Sequence, residues 1–147
     1  MSDIILSPHF KLSEFIKSNT ATQKKIDNTP SLEVVSKLQQ LCINVLEPLR
    51  CAFDTPVTIG SGYRCPVLNA AVGGVKNSQH MTGEAADLHV PSDAIGKSWF
   101  SWIQTHCTFD QLICERETSS SERWWIHVSF KSSGNRRQVI SNLIKKK

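Results

Sequence analysis

The chain is short of several things, and each shortage excludes a class. None of its apolar runs approaches the roughly 18–20 residues that a helix needs to cross a bilayer. No basic stretch opens it, and only three consecutive apolar residues, Ile4 to Leu6, occur near the start, so no secretory leader is expected. Five cysteines are present (Cys42, Cys51, Cys65, Cys107 and Cys114), an odd number with no Cys-x-x-Cys pair. That excludes a disulfide framework and a zinc knuckle, and the thiols are expected to be reduced and partly buried. Internal repeats, low-complexity stretches and nucleic-acid-binding motifs are missing too.

What is present is an ordinary globular composition, with 39% hydrophobic and 20% charged residues in 147. One domain spanning 1–147 is expected, large enough to bury a core without staples. The net charge of +4 is uneven, because 131–147 holds six basic residues and no acid. This basic C-terminal segment reads either as a solvated terminus or as a surface drawn to an anionic partner such as a cell wall.

Hydrophobic spacing gives the elements. Leu12 to Ile16 reads as a short helix and Ser18 to Thr29 as a loop. Thr29 and Pro30 read as the cap and first residue of a helix with Leu32, Val35, Leu38, Cys42, Val45 and Leu49 on one face, ending or kinking near Pro48. Val57 to Ile59 and Ala85 to Val90 read as strands. Alternation in the second places Ala86, Leu88 and Val90 on one face and Ala85, Asp87 and His89 on the other. Ser92 can cap a helix to about Thr105, and Phe109 to Glu115 and Trp124 to Phe130 form a hairpin around a long polar loop. Helices first and strands later imply an α+β domain with a small central antiparallel sheet flanked by helices.

The chemistry concentrates in Ser78-Gln79-His80-Met81-Thr82-Gly83-Glu84-Ala85-Ala86-Asp87. His80 and Asp87 lie seven positions apart, with Gly83 where the chain must turn into the strand carrying Asp87. His127 on the later strand can supply a third ligand. Two imidazoles and a carboxylate, with a fourth position left for water, suit a catalytic zinc ion.

Ser78-x-His80-x-x-Gly83-x-Ala85-x-Asp87 followed by Trp125-Ile126-His127-Val128-Ser129 resembles the signature of the family M-15 zinc peptidases. These are the D-Ala-D-Ala carboxypeptidase-like enzymes that cut peptidoglycan stem peptides and share a core with the Hedgehog signalling domain. Leu12-Ser13-Glu14-Phe15, Ser61-Gly62-Tyr63-Arg64 and Phe109-Asp110-Gln111-Leu112-Ile113 match further segments in the same order. The resemblance implies a Hedgehog/DD-peptidase-like fold, one Zn2+ per chain, and His80, Asp87 and His127 as its ligands.

Many relatives place an acid or His three residues before the last ligand, where this chain has Trp124. Glu115 matches an acid of the closer subgroup and is the preferred general base, with Glu122 its rival. Arg64 is implied to bind a carboxylate or a developing oxyanion with its planar fork. Ser78, Tyr63 and Trp125 are assigned as supports of the ligands or as substrate contacts, and His89 is the decoy on Asp87's face. The sequence therefore points to a zinc peptidase acting on peptidoglycan peptides, a monomer with no nucleic-acid partner. It is expected to be made in the cytoplasm and to reach the wall by release, as in phage lysis, or by another export route. The alternative is a non-catalytic wall-binding or structural module that keeps the zinc site.

Overall fold

The computed structural model describes residues 3–118 and 122–144. Strands β1 (Ile5–Ser7) and β2 (Phe10–Lys11) form a small hairpin that leads into α1 (Ser13–Ile16). Residues 18–29, expected as a loop, contain α2 (Asn19–Lys24). The Ser18 side chain accepts a hydrogen bond from the Ala21 N–H at its start, and Lys25 closes it in the left-handed region at φ 56°. Its one buried residue, Ala21, leaves too faint an apolar pattern to announce a helix.

Helix α3 (Leu32–Leu41) starts two residues later than its sequence signal. Ser31, not Thr29, is the cap, accepting from the Val34 N–H, while the Thr29 hydroxyl donates to Asp27. The helix does not stop near Pro48. It passes through a π turn at Cys42–Leu46 and resumes as α4 (Glu47–Phe53). Pro48 has no N–H to give the preceding turn, and the wider i to i−5 bonding, Glu47 N–H to Cys42 O, absorbs that gap.

The main sheet contains β3 (Ile59–Ser61), β4 (Ala85–His89), β5 (Gln111–Arg116), β6 (Trp125–Ser129) and β7 (Gln138–Ile144), in the order β3-β4-β6-β5-β7. The first three pairings are antiparallel, but β5 and β7 run parallel. The sheet is mixed, which corrects the all-antiparallel expectation. Between β3 and β4 lie α5 (Pro66–Ala71) and a 3-10 turn at Gln79–Thr82, and α6 (Asp93–His106) follows β4 with Ser92 as its cap.

One sheet face is core. Ala86, Leu88, Leu112, Ile126 and Val128 pack with Leu38, Leu41, Val45 and Leu49 of the long helix and with Phe15, Trp99, Ile103 and Phe109. The other face carries Asp87, Ile113, Glu115 and His127, since side chains alternate along each strand.

Of the two readings of the basic C-terminal segment, the solvated terminus does not hold for its described part. Within it, 138–144 is the edge strand β7, and the two arginines before it are engaged. Arg136 donates from Nε and Nη2 to the fully buried Asp110 carboxylate, at 3.0 and 2.8 Å. Arg137 donates to the carbonyls of Cys107 and Gln104 at the end of α6, where a cation meets the negative pole of the helix, and stacks on Phe109. Lys145 to Lys147 lie outside the described residues.

Candidate metal centre

Two strands and one turn build the site. Ser78 precedes the 3-10 turn and its hydroxyl accepts from the His80 N–H, so the turn begins at a fixed place. Gly83 closes it at φ +81°, and a Cβ there would lie 2.7 Å from the Val34 carbonyl oxygen. Only glycine meets both demands. The chain then enters β4, and antiparallel pairing sets Asp87 directly opposite His127 on β6, which itself faces Ile113 on β5.

The three side chains meet. His80 Nε2 lies 3.3 Å and His127 Nδ1 3.0 Å from Asp87 Oδ1, and the rings sit 5.2 Å apart. The candidate ligand atoms of all three lie within 4.8 Å of one another. His80 Nδ1 sits 2.6 Å from the Gly62 carbonyl oxygen, so that nitrogen carries the proton and donates, leaving the Nε2 lone pair facing the cluster. Gly62 can approach because it has no side chain; a Cβ would fall 2.5 Å from the Phe15 carbonyl oxygen. A buried pair of imidazoles and a carboxylate, with one tautomer fixed from behind, fits the donor set that zinc takes.

The electrostatics of His80 and Asp87 match that donor set. Burial lowers the pKa of His80, against the pull of Asp87, and so favours the neutral imidazole a metal needs. Burial opposes charge on Asp87 as well, yet the two histidines outweigh it and keep the carboxyl far below the usual range. Burial also acts against charging His127, but the hydrogen bond and charge of Asp87, with Glu115 behind them, raise it.

These residues open into a cleft of about 510 Å³ that Arg64, Asn77, Gln79, Glu115, Lys131 and Arg136 also line. Glu115 Oε1 is 3.7 Å from His127 Nδ1, with its side chain 15% exposed. Arg64 Nη2 donates to Ser78 Oγ at 3.3 Å, while its Nε is buried with no hydrogen-bond partner among the described residues. Burial lowers the Arg64 pKa, although Asp87 and Glu115 counter it.

Not every residue singled out in the sequence reaches this cleft. Glu122 lies along a neighbouring hollow with His89, Asp93, Trp124 and Trp125, on the other side of Asp87, which lines both. His89 is exposed and stands opposite Trp125, away from the cluster. Tyr63 is buried in the hydrophobic core, and its N–H donates to the Phe15 carbonyl, fixing the strand end that carries Gly62. Trp124 turns onto α6 and donates from Nε1 to Asp93 at 2.8 Å.

Two contributors escaped the sequence reading. Asn28 accepts from the Cys65 N–H and donates to the Ile16 and Tyr63 carbonyls, holding the Tyr63–Cys65 segment around Arg64. Gln79 donates to Asp110 at 2.9 Å, tying the His80 turn to β5 and Arg136. Both act through long-range pairs that no local spacing reveals, although Asp110 did sit inside a matched motif.

A mixed sheet backed by helices, with two histidines and an aspartate converging in an open cleft, defines an α+β domain with a candidate metal site. Residues 8–129 match the family model of Peptidase M15, and the chain belongs to that family. Over 44 residues it is also 48% identical to the zinc D-Ala-D-Ala carboxypeptidase of Streptomyces albus G, a stretch that is 29% of this chain and 17% of that relative.

Proposed function

We propose that the protein is a zinc-dependent peptidase that hydrolyses peptide bonds in peptidoglycan stem peptides, as a D,D-carboxypeptidase or an endopeptidase. The observation that carries this reading is the convergence of His80, Asp87 and His127 beside Glu115 in one cleft of a Peptidase M15 chain. The name of the Streptomyces relative supports zinc and a D-Ala-D-Ala substrate.

In this reading His80 Nε2, Asp87 and His127 hold one zinc ion. Zinc bound there supplies a water acidified toward a pKa of ~7 and a Lewis acid for the scissile carbonyl. Glu115 takes the proton of the attacking water and returns it to the leaving amine nitrogen, so the C–N bond breaks without a free amide anion. It serves in place of the acid that Trp124 displaces, reaching the cluster from β5 across the hairpin, where it stands opposite Trp125. Arg64, on the wall of the cleft, offers its guanidinium to a substrate carboxylate or the developing oxyanion. Ser78 and the Gly62 carbonyl keep Arg64 and His80 in place.

Stem peptides bring free carboxylates to the cleft, and Arg64 and Lys131 along its wall are cations that can meet them. The enzyme would work as a monomer and reach the wall by release, as phage lysis proteins do; the substrate class is the support for this. Digestion of purified peptidoglycan, with the fragments identified by mass spectrometry, tests the reading. New amino and carboxyl termini should appear at stem-peptide bonds, disappear with a chelator and return with added Zn2+. Uncleaved peptidoglycan that retains the protein would instead make it a binding module.

A further inference from the structure

A second set of ligand-type side chains converges far from the cleft. His9 lies in the turn between β1 and β2, and Glu47 and Cys51 lie one turn apart on α4, at i and i+4, so one helix face presents both. Their candidate ligand atoms all lie within 4.8 Å of one another.

The carboxylate is oriented by the protein itself. Glu47 Oε1 accepts from the Ser7 hydroxyl at 2.7 Å and from the His9 backbone N–H at 2.8 Å. Those two donors fix the plane of the group and leave Oε2 directed at His9 Nδ1, 2.5 Å away, and Cys51 Sγ, 3.4 Å away. Burial works to raise the Glu47 carboxyl, but His9 and Ser7 outweigh it and hold it at about 2, so it is an anion at neutral pH. Its side chain is 14% exposed, whereas that of His9 is 42% exposed and Cys51 lies open to solvent, leaving a path for an ion to enter.

We propose that His9, Glu47 and Cys51 form a second metal site for a borderline-soft divalent ion such as Zn2+ or Co2+. One imidazole, one carboxylate and one thiolate, completed by water, suit these ions; Mg2+ and Ca2+ prefer all-oxygen shells. On binding, the Cys51 thiol loses its proton to solvent, and the proton that His9 Nδ1 donates to Glu47 leaves that nitrogen while Nε2 carries the one proton remaining on the ring, which frees Nδ1 to ligate. The bound ion ties the β1–β2 turn to α4 and thereby braces the segment that leads to Phe15, on which Gly62 rests. The site shares no residue with the cleft, so it stands or falls independently of the peptidase reading.

The test uses Co2+ alone, titrated without oxygen into the metal-stripped full chain kept reduced with a phosphine. The His80–Asp87–His127 cluster has no thiol, so a thiolate-to-cobalt charge-transfer band in the near ultraviolet reports only a cysteine site. The wild type and a His80→Ala/Asp87→Ala double variant should both develop the band. Cys51→Ser should lack it, and His9→Ala should need at least tenfold more Co2+, with both variants keeping the wild-type circular dichroism. No band in the wild type, or a band that persists in Cys51→Ser, would overturn the proposal.

Discussion

At the scale of single residues, the site depends on which atom each side chain offers. His80 presents Nε2 because Nδ1 is committed to the Gly62 carbonyl, whereas His127 presents Nδ1, and a single Asp87 oxygen faces both. Spacing and strand alternation raised these three as candidates, a period of two setting Asp87 and His127 on the face opposite Ala86 and Val128, and the resemblance to the M-15 peptidases selected them as a set. The choice between the two glutamates was not legible, because the loop between β5 and β6 leaves the position of Glu122 open to local reading. In the structure Glu115 lies along the cleft, whereas Glu122 lines a neighbouring hollow that shares Asp87 with it. Accordingly, Glu115→Gln should retain zinc and melting temperature while lowering kcat by roughly 10²–10⁴-fold, the usual worth of a general acid–base group. Steady-state kinetics on a stem-peptide substrate checks this, with Glu122→Gln expected within about twofold of wild type. Equal losses in the two variants would remove Glu115 from its assigned role.

At the scale of elements, the unexpected piece is β7 and its anchor. A parallel partner joined through a long connection leaves no local signature, and 138–144 alternates too poorly to declare a strand. Its placement depends on Asp110, which binds the Arg136 side chain and N–H and receives Gln79, while its carbonyl accepts from the Gln138 N–H. The missed α2 and the shifted cap of α3 have the opposite cause. At α2 a single buried residue, Ala21, leaves too faint a pattern, and at α3 the Ser31 hydroxyl, two residues beyond Thr29, takes the capping role, a matter of side-chain geometry that sequence spacing leaves undecided. Helix α6 and the β5–β6 hairpin carried strong periodic patterns and matched their expected positions within a residue or two.

The Arg136 guanidinium draws the Asp110 carboxyl down to about 2, from an unfolded value near 4. A lowered folded pKa contributes stability that is complete above pH ~4 and is lost as the pH falls through 2. The contribution is about 2 kcal/mol by linkage. Asp110→Asn should therefore unfold more easily at pH 7 by about that amount, and its stability should change less between pH 4 and pH 2 than that of the wild type. Urea denaturation at a series of pH values reads both effects. Parallel pH profiles would show that the ion pair does not set acid stability.

For the whole molecule, the fold brings together residues 62, 64, 80, 87, 115 and 127 by crossing the chain through one sheet and bracing it from behind. The strand order β3-β4-β6-β5 puts the Gly62 segment, Asp87, His127 and Glu115 on successive strands, while α1 supports Gly62 and the Asp110–Gln79 link fixes the His80 turn. The general architecture and the ligand-bearing strands were readable because their patterns are local and matched motifs lay in order along the chain. The mixed character of the sheet was not, because it depends on contacts between distant segments. The most direct test of the account is the zinc content of the purified protein and its variants, measured by elemental mass spectrometry alongside circular dichroism to follow the fold. His80→Ala, Asp87→Ala and His127→Ala should each hold one zinc fewer than the wild type while remaining folded, and His89→Ala should match the wild type. Wild-type zinc content in all three folded variants would contradict the account.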